Sequence, residues 1–228
     1  MLDIIFEDSH ILVVRKQAGI ESQGGKSLSM DMVSLIKNEM MFRQRKAGIK
    51  KEPYVGVIHR LDRPVSGVMV YAKTQKAAAV LSRQVQQHMM QKRYYALLCV
   101  MPPQKQGTLR DFLVHDKKTN KTYISKNTDP AAKEAILQYQ IVDRNKFQGF
   151  DFIRDTQEQS YYLADILLMT GRHHQIRVQF ANIGCPLWGD VKYNPQWNYS
   201  QPSNRIALCA YELTFTHPIT NKIMSFHY

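Results

Sequence analysis

The chain has 228 residues, 44% of them hydrophobic, and its 31 Lys and Arg against 19 Asp and Glu give a formal charge of +12 at pH 7. This length and hydrophobic content are typical of an ordinary globular chain with a packed core. Because unpaired charges are rarely buried, the excess cations must lie on the surface, where they favour a polyanionic partner, nucleic acid ahead of an anionic membrane.

The three cysteines, Cys99, Cys185 and Cys209, lie far apart and form no CxxC pair. They therefore indicate neither a disulfide framework nor a zinc site, and they fit a reducing compartment. The first residues place acidic side chains inside an apolar run and have no basic region, unlike a signal peptide. No stretch approaches the roughly 18 apolar residues of a membrane span. We expect a soluble, cytoplasmic protein.

The predicted elements begin with a hairpin, because short apolar runs at 4–6 and 11–14 flank a turn-prone segment. Apolar residues then recur at helical spacing from Met32 to Met40, which predicts an amphipathic helix. Residues 43–52 are rich in Lys and Arg and are predicted to form a basic loop around Lys50. A solvated surface and an RNA contact both fit that loop.

Strands and helices alternate further along the chain. Strands are predicted at 55–58, 68–72, 94–100, 135–142, 150–154, 161–168, 206–215 and 222–226. Helices are predicted at 74–91, with Thr74 as N-cap, and at 178–182. Nothing marks an interdomain linker or an internal repeat, so a single domain is expected.

The loop at 59–67 has the sequence HRLDRPVSG and lies between two predicted strands. It places the carboxylate of Asp62 between two guanidinium groups, with Pro64 and Gly67 shaping the backbone. Loops held by rigid strands often carry functional sites. Taken alone, an HRLD segment is more commonly a turn capped by its Asp beside surface arginines.

A second motif, GRHHQIR at 171–177, adds two arginines and two adjacent histidines. A metal site is disfavoured because neighbours on a strand point to opposite faces, and no further ligand stands at a suitable spacing. A structural role for His174 and Gln175, hydrogen bonding the backbone around a tight glycine turn, stays open. The third feature is KRYYA at 92–96, where Tyr rings could stack on bases or could pack in the core of the sheet.

Together these segments resemble the RluA-type family of RNA pseudouridine synthases. The family carries HRLD followed two residues later by Thr-Ser-Gly, then Lys-x-Tyr, then Gly-Arg-x-His-Gln-Ile/Leu-Arg, and the chain matches these motifs in order at 59–67, at Lys92 and Tyr94, and at 171–177. Weaker family features recur in the opening hairpin up to Gly19, at Gly189, Asp190 and Tyr193, and at 206–208. The resemblance covers nearly the whole chain.

The resemblance implies an α+β pseudouridine synthase fold, with a mixed, largely antiparallel central sheet, flanking helices and a central active-site cleft. It also implies a single catalytic domain over 1–228, whereas the pattern alone would allow any α+β domain. Since the hairpin begins at Asp3, we expect the chain to lack the small N-terminal RNA-binding domain that many relatives carry. Substrate binding must then come from the basic surface of the catalytic domain.

By resemblance the chain is an isomerase that uses no cofactor and no metal, with Asp62 as its catalytic carboxylate. Arg177 is expected to pair with that carboxylate and Tyr94 to stack on the uracil. Leu208 would form the opposite apolar wall, and Arg60 would fill the space left by a flipped-out uridine or hold the flipped backbone. Lys92, Arg172 and the loop around Lys50 are expected to contact phosphate.

Three positions depart from the family pattern: Val65 replaces a Thr, Gln17 a Pro and Cys209 a His. The loss of a hydroxyl at Val65 puts the geometry of the loop in question, not the carboxylate itself. The rival functions are a non-catalytic RNA-binding or ribosome-assembly factor on the same fold, and a metal-dependent nuclease. The expected partner is RNA, either ribosomal RNA or tRNA, with ribosomal RNA slightly ahead; we expect a monomer with no obligatory protein partner.

Overall fold

The structure is a computed structural model that describes residues 2–24, 31–150, 161–195 and 205–228. The strands in these ranges are β1 (Asp3–Glu7), β2 (Ile11–Lys16), β3 (Gly56–Val57), β4 (Ser66–Ala72), β5 (Gln91–Leu98), β6 (Gln106–Asp116), β7 (Lys121–Ser125), β8 (Lys133–Val142), β9 (Tyr162–Leu168), β10 (Leu208–Thr216) and β11 (Ile223–His227). The helices are α1 (Met32–Lys46), α2 (Gln75–Gln86) and α3 (Gln175–Asn182), with a 3-10 turn at Arg144–Lys146. This α+β composition confirms the predicted fold class. None of the helices in the described ranges is long and apolar enough to cross a membrane.

The chain divides into two compact units, which are described separately. The first unit joins Met1–Gln91 to Ala210–Tyr228, and the second is the continuous segment Lys92–Cys209. The expectation of a single domain over 1–228 stays a prediction.

In the first unit, β1, β2, β4 and β10 are neighbours in that order, while β3 pairs with β4 and β11 with β10. Alternate residues of β2 and β4, among them Ile11 and Val70, pack in one buried cluster with Ala77 and Leu81 of α2. Thr74 caps α2 as predicted, because its hydroxyl accepts a hydrogen bond from the Ala77 N–H at 3.2 Å. The core of this unit thus fixes β4. The loop at 59–67 connects β3 to β4 and ends in the first residues of β4.

In the second unit the strand order is β5-β9-β8-β6-β7, and the pairings are antiparallel. Helix α3 packs against β6 and β8 through Val178, which joins Leu113 and Ala135 in a buried cluster. This packing places the first turn of α3, which carries the second motif, beside the hairpin of β6 and β7.

Two predictions about local structure were wrong. The basic loop expected from residue 43 begins later, because Arg43, Arg45 and Lys46 form the last turn of α1, where cations complement the helix dipole. Lys50 does lie in the exposed segment that follows the helix.

Strands β6 and β7 were not predicted at all. Both are mainly polar, and their apolar segments are short, at 112–114 in β6 and at 123–124 in β7, so the pattern by which strands are recognised is weak. Pairing of β6 with β8 and of β7 with β6 supplies their backbone hydrogen bonds. Strand β8 confirms the prediction at 135–142. Of the strand predicted at 150–154, residues 151–154 lie outside the described residues.

Candidate active site

The loop at 59–67, called here the motif loop, is tied to the first unit at several points. The Ser22 hydroxyl donates to the Leu61 carbonyl at 2.7 Å and accepts from the Leu61 N–H at 2.9 Å. Within the loop, the Val65 N–H donates to the Asp62 carbonyl at 3.0 Å, which closes a turn around Pro64. These bonds hold the backbone on both sides of Asp62, whose side chain is partly buried.

A buried lysine lies beneath this turn. Lys16 at the end of β2 is fully buried, and its ammonium donates to the carbonyls of Gln17, Ile20 and Arg63 at 3.1, 2.7 and 3.3 Å. Burial lowers the pKa of Lys16 to about 8, and the negative charge of Asp62 partly opposes that shift. Lys16 therefore supplies a positive charge that acts on the predicted catalytic carboxylate from within the protein.

The motif loop joins β4 at a close backbone contact. Gly67 has a φ of +149°, and a Cβ atom placed there would lie 2.4 Å from the Ala210 Cβ and 2.6 Å from the Ala210 carbonyl oxygen. Only glycine fits this approach of β10 to β4. Val65 is also buried, at 2% exposure, so it fills apolar space at the position where the family carries Thr.

The two arginines of the motif loop are exposed. The Arg63 Nε donates to the Gly19 carbonyl at 3.0 Å, and the Arg63 backbone carbonyl accepts from the Gly19 N–H at 2.7 Å. These two bonds tie the loop to the segment after β2. The exposure of Arg60 is compatible with its predicted insertion into RNA, which stays a prediction.

In the second unit, β5 carries Lys92 and Tyr94. Tyr94 is buried at 6% exposure, and its backbone pairs with Ile166 of β9. Burial lowers the pKa of Lys92, whose ammonium lies near Gly171 of the second motif. Leu208, at the start of β10, is buried as well. The alternative of a core tyrosine at position 94 thus agrees with its burial, and a stacking role for its ring stays a prediction.

Arg177 lies in the first turn of α3, which begins at Gln175, three residues before the predicted start at 178. Its Nε and Nη2 each donate to one carboxylate oxygen of Asp190 at 2.8 Å, and the two side chains are 5% and 0% exposed. The guanidinium also lies over the Tyr193 ring, 5.2 Å from its centroid. Asp190 therefore orients Arg177, and the predicted pairing of Arg177 with Asp62 stays a prediction.

The glycine turn before α3 is closed by Gln175. Its side-chain oxygen accepts from the Arg172 N–H at 3.0 Å and from the Thr170 hydroxyl at 2.9 Å, as the structural alternative for this residue proposed. Arg172 donates from Nε to the Glu134 carbonyl at 2.9 Å, so one side of its guanidinium is used inside the protein. Its predicted phosphate contact stays a prediction.

The two histidines do not point to opposite faces. His173 and His174 precede α3 in a turn, where His174 has a left-handed φ of 52°, and their rings stack with centroids 3.7 Å apart. The expectation of opposite faces was wrong because it assumed a strand. His174 bonds through Nδ1 to the Tyr193 hydroxyl at 2.8 Å, which is a side chain and not the backbone partner considered above.

The family model described as RNA pseudouridylate synthase matches residues 10–182 of the chain. The chain belongs to this family. Among curated pseudouridine synthases, it is 31% identical over 237 residues to the ribosomal large subunit pseudouridine synthase D of Pasteurella multocida, covering 99% of this chain and 66% of that protein. It is also 31% identical to the dual-specificity RNA pseudouridine synthase RluA of Vibrio parahaemolyticus, covering 98% of this chain and 81% of the relative.

Solved structures show the same pseudouridine synthase fold. The human RNA pseudouridylate synthase domain containing 4 superposes with a TM-score of 0.73 at 21% identity, over 99% of this chain and 87% of that one. The human RNA pseudouridylate synthase domain containing 1 gives the same TM-score at 18% identity, over 100% and 83%. The chain spans about two thirds of the length of the first of the curated synthases above, 66%.

Two features of the candidate site were not recognised in the sequence. Lys16 was covered only as part of the opening hairpin of the family resemblance, since its contact depends on a carbonyl 47 residues away. Asp190 was noted as a weak family feature, and its spacing from Arg177 gives no sign that the two side chains pair. A buried carboxylate or lysine needs a partner, so each could have been suspected only once its burial was known.

Proposed function

We propose that this chain isomerises uridine to pseudouridine within an RNA, with Asp62 as the catalytic carboxylate. The observation that carries the proposal is the motif loop itself: Asp62 stands on a backbone fixed by Ser22 and Lys16, with the charge of Lys16 acting on it. The family match to RNA pseudouridylate synthases supports the reaction class.

In this reaction the bond between N1 of uracil and C1′ of ribose breaks, the base turns, and C5 bonds to C1′. C5 loses a proton and N1 gains one, so the reaction needs no redox partner and no outside group. Asp62 would attack C1′ or C6, or would remove a ribose proton. A carboxylate performs each of these steps only when ionised, and a nearby cation favours that form where water is excluded.

The remaining predicted residues divide by task. Tyr94 would stack on the uracil and assist removal of the C5 proton, and Arg177, held by Asp190, would pair with Asp62. Arg60 would hold the flipped state, which costs a few kcal/mol to reach. Lys92 and Arg172 would bind phosphate, and Leu208 would form the apolar wall against the base.

Ribosomal RNA is the proposed substrate class. One of the relatives named above is a ribosomal large subunit pseudouridine synthase. The formal charge of +12 supports binding to a polyanion, with an affinity that falls as salt rises.

The test is tritium release from ribosomal RNA transcripts labelled at uridine C5. Asp62→Asn should abolish release while circular dichroism and the melting temperature stay near wild type. Asp143→Asn removes the same charge from an exposed turn of the second unit and serves as the control, with full release expected. Release by Asp62→Asn at the wild-type rate would refute the proposal.

A further inference from the structure

Three histidines of the second unit form a continuous stack that the proposed reaction does not use. The rings of His115 and His173 lie 3.9 Å apart at an interplanar angle of 26°, and those of His173 and His174 lie 3.7 Å apart at 28°. His174 is buried, His173 is partly buried and His115 is exposed. The stack thus runs from the interior of the unit to its surface.

The inner end of the stack is held by hydrogen bonds. Tyr193 Oη accepts from the Thr122 N–H at 2.8 Å and lies 2.8 Å from His174 Nδ1, while the Thr122 hydroxyl lies 2.9 Å from His173 Nδ1. Burial, with the nearby charge of Arg177, lowers the pKa of His174 to about 2. Thr122 of β7 and Tyr193 therefore hold the inner rings in place.

The outer end of the stack is an open aromatic face. His115 lies on β6, and Nε2 is 3.3 Å from the Asn120 side-chain oxygen, which sets the orientation of the ring. One face of the ring lies on His173, and among the described residues no other ring lies against it. A flat, oriented and exposed ring of this kind offers a surface on which a second aromatic ring can stack.

Cations lie on the turn that follows this strand and on its neighbours. Lys117 and Lys118 of the turn and Lys121 at the start of β7 are exposed, and the Lys192 ammonium donates to the Asn120 carbonyl of the same turn at 2.8 Å. The single carboxylate of the turn, Asp116, is occupied by the Lys118 N–H and the Thr119 hydroxyl. The chemistry is that of a single-stranded RNA site, in which an aromatic ring receives a base and lysines receive phosphate.

We propose that His115 is a stacking site for an unpaired base of the substrate RNA, distinct from the uridine that is isomerised, with the flanking phosphates bound by the lysines of the turn. The proposal rests on the proposed function in that the partner is RNA. Acidic protein partners would use the lysines without needing the ring, so a test must separate base from charge.

The experiment compares two fluorescein-labelled probes of about 12 nucleotides, one of oligouridylate and one of the same backbone without bases. His115→Ala should weaken binding of oligouridylate at least about fivefold and leave binding of the abasic probe unchanged. His115→Phe, which keeps a flat ring, should bind both probes like wild type. His227→Ala, which removes an exposed histidine from β11, is the matched control and should change neither affinity.

The inference is overturned if His115→Ala binds oligouridylate like wild type, or if it weakens both probes equally. Tritium release by the wild-type protein is measured in parallel. Absence of release with a base-dependent effect at His115 would reject the isomerase and keep the stacking site. Normal release with no effect at His115 would reject the stacking site alone.

Discussion

Replacement of Arg177 by Met tests whether the buried pair with Asp190 is structural, catalytic or both. Both side chains are almost fully buried, at 5% and 0% exposure, and two bonds of 2.8 Å join them. After the change, the donors left to the Asp190 carboxylate among the described residues are the backbone N–H groups of Lys192 and Tyr193, at 3.1 and 3.3 Å. Leaving one partner of a buried pair uncompensated costs about 3–5 kcal/mol.

For a chain of this size each kcal/mol lowers the melting temperature by about 2–4 °C, so we expect a loss of about 6–20 °C. The double variant Arg177→Met with Asp190→Asn removes both charges and keeps an acceptor for the two N–H groups. Because a buried pair replaced by uncharged groups is often close to neutral, most of the lost stability should return.

Calorimetry and tritium release are then read together. The double variant should be stable, and it should be inactive because Arg177 is proposed to orient the catalytic carboxylate. A single variant as stable as wild type would refute the account of the buried pair. A double variant that regains activity would show that Arg177 contributes only to the fold.

Three further outcomes are expected. The pKa of Lys16 is about 8 in the folded protein, against an ordinary 10.5. The wild-type turnover should therefore fall above pH 8 as the ammonium loses its proton, and this fall should be absent in Lys16→Met. For the same reason the contribution of Lys16 to the free energy of unfolding should rise between pH 8 and 10.5, which urea unfolding at several pH values would check. Gly67→Ala should destabilise more than Gly48→Ala, since both have positive φ but only at Gly67 would the new Cβ overlap Ala210; equal midpoints in urea would contradict this. Ser22→Ala removes two hydrogen bonds to the motif loop and should lower the free energy of unfolding by about 1–3 kcal/mol and lower kcat. If both values are unchanged, other contacts hold the loop.

Much of the fold follows from local patterns that the sequence displays. The buried strands β2 and β4 read as apolar runs, and Thr74 marks the start of α2 by its capping chemistry. Strands β6 and β7 could not be found in this way, because β6 forms by pairing with β8 and β7 by pairing with β6. A strand can be predicted where its own residues are apolar and buried. It cannot be predicted where only pairing with a neighbouring strand stabilises it.

The candidate site shows the same division. The motif loop and the first turn of α3 were found as dense polar segments, and their family resemblance named Asp62 and Arg177. Their supports, Lys16 and Asp190, are single charged residues whose importance arises from burial beside distant parts of the chain. The stack of His115 on His173 could not be predicted for the same reason, since it depends on the hairpin of β6 and β7, which was not predicted.

The division of the first unit into two segments has a consequence for synthesis on the ribosome. Residues 92–209 form one continuous unit, whereas the contact that closes the motif loop joins Gly67 to Ala210, which is translated only after that whole unit. The nascent chain therefore carries Asp62 long before β10 arrives to hold the end of its loop. The proposed activity should therefore appear only once β10 has been synthesised and holds the end of that loop.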